Sequence, residues 1–292
     1  MLATIAKRLG NENMSAASPQ FFTTDGTYHY RVVRPWQQGE VGVVSQVVVG
    51  ARGEIVLLDR SPACLRVFSP DGALLRTVVH PLLTSGHGMC ATADGGLWVV
   101  TYDAHQVLRF DAHYELVQTL GTFNEPTWNR PFNHPTDVAL DSGGRLYVAD
   151  GYGNACVHRF AADGTLELTW GRPGTGRGEF STPHGVWVLP DRRVLVADRD
   201  NDRVQVFDED GEWRDEWKPL VRPMDIWATA DGSRIYVTEQ APRVTCFDDS
   251  GRVLGRARTF GIYPHGIWGD VGGNLYVAEQ GYPHQIVKYE RL

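Results

Sequence analysis

Six segments of this 292-residue chain share one plan, and that repetition limits the fold more than any other feature. They are VVSQVVVGARGEIVLLDRSPACLRVFSPDG, SGHGMCATADGGLWVVTYDAHQVLRFDAHYE and HPTDVALDSGGRLYVADGYGNACVHRFAADG, then TPHGVWVLPDRRVLVADRDNDRVQVFDEDG, RPMDIWATADGSRIYVTEQAPRVTCFDDSG and YPHGIWGDVGGNLYVAEQGYPHQIVKYE. Each reads as a short apolar strand, a Gly/Asp turn where positive φ costs little, a β-branched strand ending in Asp or Glu, a polar loop and a third strand. A fourth alternating run (LLRTVVH, LVQTLGT, LELTWGR, EWRDEW, VLGRARTF) follows each of the first five units. Four antiparallel strands recurring every ~40 residues are the pattern of a β-propeller blade. The sixth unit lacks its fourth strand, and TYHYRVVRPW at residues 27–36 can supply it. The expectation is an all-β, six-bladed β-propeller over residues 27–292, its last blade closed by an N-terminal strand, behind a loose lead-in at 1–26. A linear solenoid is the alternative, but the missing strand at the opposite end of the chain favours closure.

A formal charge of −7 with no basic stripe argues against a nucleic-acid surface, which needs clustered cations to displace counterions. No run has the length of a membrane span or a signal-peptide core, and the four cysteines form no CxxC pair. A cytoplasmic protein with buried thiols and no membrane partner is expected.

Alignment of the repeats places Ser45, His87, Thr136, His184, Met224 and His265 at one position of the innermost strand. The histidines fall in blades two, four and six. Alternate blades of a six-fold ring are related by about 120°, so three imidazoles would converge on the axis with coordination positions left open, as in a three-histidine metal site. A single such histidine is more often structural; the alternation is what points to a metal. Arg60 and Arg199 share a repeat position after the second strand in blades one and four, and Tyr152 sits one residue further along in blade three. At a funnel mouth the guanidiniums are candidate carboxylate clamps, the bland alternative being bridges to the strand-end acids Asp59 and Asp198. Asp137 and Asp225 follow the column directly, either orienting ligands or capping the strand entrance; His134, two residues before the column, is read as a surface or structural residue, with support of a ligand from behind as the alternative.

With these residues in place, FNHPTDVALDSGGRLYVADGYGNACVHRF, WGRPGTGRGEFSTPHGVWV and VLVADRDNDRVQVFD resemble NHL-repeat propellers, and more narrowly the peptidyl-α-hydroxyglycine α-amidating lyases. The resemblance runs from about residue 28 onward and is strongest from Phe132 to Phe207. It implies zinc, or another divalent transition metal, on His87, His184 and His265, with Arg60, Arg199 and Tyr152 as catalytic residues. The family's disulfides have no counterpart, since Asn133, Gly153 and valines around Val196 and Val206 stand at those positions. Gly266 replaces the acidic residue that helps the family's structural calcium site, which puts calcium in doubt. The function implied is a lyase that splits an N-acyl-α-hydroxyglycine-like carbinolamide, a small molecule bearing a carboxylate, into an amide and an α-oxo acid. Tyr152 would act as general base, its pKa depressed by the nearby cations. Other metal-dependent hydrolase or isomerase chemistry, and a non-catalytic interaction scaffold, are the alternatives.

Overall fold

A computed structural model describes residues 21–24, 28–281 and 285–292. Six antiparallel sheets follow one another around a ring. Blade one is Val44–Val49, Ile55–Arg60, Ala63–Phe68 and Leu74–Val78, and the next four blades repeat its order. The sixth takes Pro264–Gly269, Leu275–Glu279 and Gln285–Arg291 from the end of the chain and Tyr28–Val33 from its start. Val33 pairs with Lys288 and Tyr30 with Arg291, the closure expected from the sequence. The innermost strand of blade six packs against that of blade one, so the ring is complete. No helix among the described residues is long and apolar enough to cross a membrane. Of the expected lead-in, residues 1–20 and 25–26 lie outside the described residues; Phe21–Thr24 adds a fifth strand on the outside of blade six.

The blades cohere through apolar layers between neighbouring sheets. Val56, Leu58 and Leu65 of blade one meet Met89, Val99 and Leu108 of blade two, all at most 1% exposed. At the joint, Trp36 packs on Phe68 and Tyr276, and the Tyr30 hydroxyl is 2.8 Å from that of Tyr236. Gly72 makes a tight turn beneath Trp36: its φ is +89°, and a Cβ there would lie 2.3 Å from the Trp36 carbonyl oxygen.

The acids that end the second strands are structural anchors. Asp59 accepts from Gly42 N–H and Arg66, Asp198 from Ser181 N–H and Arg203, and Glu239 from Val221 N–H and Arg243. Each thereby ties the segment entering its blade to the third strand. Blade two departs from the expected acid and has Thr101 there. The four cysteines are buried free thiols.

Candidate metal centre

The three histidines converge as their spacing predicts. Ring centroids of His87, His184 and His265 lie 4.7, 4.7 and 4.9 Å apart, and every ring is at most 5% exposed. The alternation has a backbone cause. His87 Nδ1 is 2.6 Å from the Thr136 carbonyl oxygen, His184 Nδ1 2.8 Å from that of Met224, and His265 Nδ1 2.7 Å from that of Ser45. A carbonyl only accepts, so each Nδ1 carries the hydrogen and each Nε2 lone pair is left for the centre. Even-numbered blades supply the rings; odd-numbered blades supply the carbonyls that orient them, and the Ser45 and Thr136 hydroxyls also donate to Gly86 O and Pro183 O of the next blade.

The glycine after each histidine makes this contact possible. A Cβ on Gly88 would lie 2.6 Å from the Thr136 oxygen, and one on Gly185 2.6 Å from the Met224 oxygen. Any larger residue would push apart the blades whose approach fixes the imidazoles.

Burial above all, reinforced by Arg60 and the neighbouring rings, holds His87 well below the usual histidine range; burial and Arg60 do the same for His265. Burial and Arg199 bring His184 down to about 3. Three neutral imidazoles with inward lone pairs fit a divalent transition metal, and their ligand atoms lie within 4.8 Å of one another.

Tyr152, Arg60 and Arg199 are gathered over the histidines. The Tyr152 hydroxyl is 2.8 Å from His87 Nε2 and 3.1 Å from His184 Nε2, and Arg199 Nη1 is 3.3 Å from that hydroxyl. Arg60 donates to the Gly86 carbonyl oxygen and brings Nη2 within 3.3 Å of His265 Nε2. Neither arginine bridges the strand-end acids, which Arg66 and Arg203 already occupy. Arg199 instead pairs with Asp200, which also binds Arg222. Burial opposes ionisation of Asp200, but Arg199, Thr182 and Arg222 bring its carboxyl down to about 2.

The expected depression of the Tyr152 pKa does not occur among the protein groups alone. Burial of the hydroxyl raises it above the ordinary value and outweighs the opposing pull of Arg199 and Arg60, although 39% of the residue as a whole remains exposed.

Below the histidines, Asp137 and Asp225 do more than cap strands. Asp137 accepts from Val186 N–H and Asp225 from Ile267 N–H, so each anchors the histidine-bearing strand of the next blade. Gln46 joins them by donating to Asp225. A Cβ at Gly266 would lie 2.0 Å from Gln46 Oε1, leaving no room for the acid that calcium would need. Asp225 already accepts three hydrogen bonds, and the cavity at this depth measures about 10 Å³, room for one water. The donor set does not fit calcium, which takes six to eight oxygens. Further down, Trp268 lies against apolar clusters of blades one, two and three as well as its own.

A second buried group, Asp150, Cys156 and His158, has ligand-like spacing, but its chemistry is that of the blade anchors. Asp150 accepts from Asn133 N–H and Asn154 Nδ2, and His158 stands where blade one has Arg66. His134 packs on His105 at 4.3 Å and has no contact with the three histidines. Tyr102, by contrast, belongs to the mouth and was not picked out from the sequence; it occupies the same repeat position as Arg60 and Arg199, which was the signal available.

The NHL repeat family model matches residues 132–160 and 180–207. The chain is similar to NHL repeat-containing protein 3 of Homo sapiens, at 30% identity over 272 residues, covering 84% of this chain and 76% of that protein. It is also similar to a probable peptidyl-alpha-hydroxyglycine alpha-amidating lyase of Caenorhabditis elegans, 28% identical over 229 residues, 69% of this chain and 65% of the relative. A solved gluconolactonase from Xanthomonas campestris shares the fold, with a TM-score of 0.72 at 18% identity over 97% of this chain and 98% of its own. The chain therefore belongs to the NHL-repeat β-propeller family and, within it, resembles the amidating lyases.

Proposed function

We propose that the protein is a metal-dependent lyase that cleaves the N–C bond of an N-acyl-α-hydroxyglycine-like carbinolamide, releasing an amide and an α-oxo acid such as glyoxylate. The observation that carries this is the Tyr152 hydroxyl, held between two histidine Nε2 atoms and beside a guanidinium. A divalent ion on the three nitrogens would supply Lewis-acid polarisation of the substrate oxygen and a positive charge favouring the phenolate of Tyr152.

The residues of the chain divide the remaining work. Tyr152, as phenolate, accepts the hydroxyl proton of the carbinol. The C–O bond becomes a carbonyl as the C–N bond breaks, and the proton passes to the departing amide nitrogen, so atoms and charge balance. Arg199, neutralised in part by Asp200, steadies the phenolate. Arg60 binds the substrate carboxylate; among the described residues no carboxylate pairs with it, so its charge is available to a ligand.

The test is metal analysis of the protein and of His184→Ala, followed by glyoxylate detection with N-acyl-α-hydroxyglycines and a parallel lactone screen. Glyoxylate release that depends on His184 supports the lyase. Turnover of lactones alone would assign the site to hydrolysis, and absence of bound metal after zinc incubation would favour the interaction scaffold.

A further inference from the structure

Four consecutive blades each send one side chain over the histidines: Arg60, Tyr102, Tyr152 and Arg199. The two arginines are held differently. Both guanidiniums lie over a tyrosine ring, Arg199 5.3 Å from the Tyr152 centroid and Arg60 5.4 Å from that of Tyr102. Arg199 is also tied by the Asp200 carboxylate, whereas Arg60 has no carboxylate partner among the described residues. That ring is half-buried, with its centroid 5.5 Å from His87 and 5.8 Å from Tyr152.

We propose that Tyr102 is a positioning residue that sets the preference of the site for carboxylate-bearing ligands by holding Arg60. The inference rests on the carboxylate-binding role given to Arg60 above. A carboxylate partner would fix a guanidinium but also neutralise it and compete with an incoming acid. An aromatic face attracts the same cation through its quadrupole, without consuming its charge or its in-plane N–H groups. Arg60 also donates Nε to Gly86 O, so the ring is a second hold on the guanidinium. The contrast with Arg199 lies in the acid: the arginine that serves Tyr152 has a carboxylate partner besides its ring contact, and the arginine that meets the substrate acid has the ring alone.

The experiment is a calorimetric titration of the metal-loaded, full-length protein with N-benzoylglycine and, as the carboxylate-free control, N-methylbenzamide. Tyr102→Leu is expected to weaken N-benzoylglycine about tenfold, from the size of a partly desolvated cation–π contact, and to leave N-methylbenzamide unchanged. Tyr102→Phe, which keeps the ring, binds both as wild type does. In an Arg60→Gln background Tyr102→Leu has no further effect. With turnover as the readout, Tyr102→Leu raises KM while kcat holds. Equal binding of N-benzoylglycine by wild type and Tyr102→Leu overturns the assignment, as does a matching loss in Tyr102→Phe or a wild type that does not distinguish the two ligands. The binding pattern without any α-hydroxyglycine turnover sinks the lyase chemistry alone and leaves the role of Tyr102 standing.

Discussion

The Tyr152 hydroxyl lies 2.8 Å from Nε2 of His87, although the two residues come from different blades and are 65 positions apart in sequence. On the proposed reading, a phenol placed there would meet both the histidine nitrogens and whatever a metal on them bound. Tyr152→Phe should therefore lower turnover by about 10²–10⁴-fold, the usual contribution of a positioned acid–base group, with metal content unchanged. Steady-state kinetics alongside elemental analysis checks this; full activity in the variant would remove Tyr152 from the chemistry.

Metal retention should follow the imidazoles. His184→Ala is expected to lose about one equivalent of divalent metal, because two nitrogens rarely hold what three do. Its far-ultraviolet circular dichroism should match wild type, since the strand pairing of Pro183–Val188 does not use the ring. A variant that keeps its metal would show that the three rings are not the ligands.

Adjacent arginines should behave oppositely. Arg203 is 4% exposed and pairs with the fully buried Asp198, so Arg203→Ala should cost about 3–5 kcal/mol in urea denaturation by stranding a buried charge. Arg199→Ala, four residues earlier, should lower activity and leave the urea midpoint nearly in place. Equal destabilisation by both would mean that Arg199 is also a structural residue.

The acids beneath the site predict a pH dependence. Burial pushes Asp225 up to about 6, and burial together with Asp225 raises Asp137 well above the carboxylate range. The folded protein thus binds protons here more tightly than the unfolded chain, and this pair subtracts stability as pH rises from about 4 through 6. Asp137→Asn removes one charge while an amide oxygen can still accept from Val186 N–H. Its Tm relative to wild type should climb between pH 4 and 7; a constant difference would refute the assignment.

The ring, its closing strand and the convergent histidines were legible in the sequence because repeats expose equivalent positions without any knowledge of contacts. The same register could have drawn attention to Tyr102, yet an aromatic residue does not stand out beside two arginines when charge is the search criterion. Other features depended on depth. The raised pKa of Tyr152 and the inter-blade anchoring by Asp137 and Asp225 follow from how far water is excluded, which spacing does not encode. Phe21–Thr24 carries too little alternation to be distinguished from a tail; a neighbouring strand makes it part of the sheet.

Tyr28–Val33 can find its sheet partner only once Gln285–Arg291 exists. On the ribosome that interval lasts on the order of tens of seconds at ordinary elongation rates. Throughout that interval the nascent chain carries an adhesive edge, open to pairing with other chains. The same late joint brings His265 beside Ser45, so the three histidines come together only when that hazard ends.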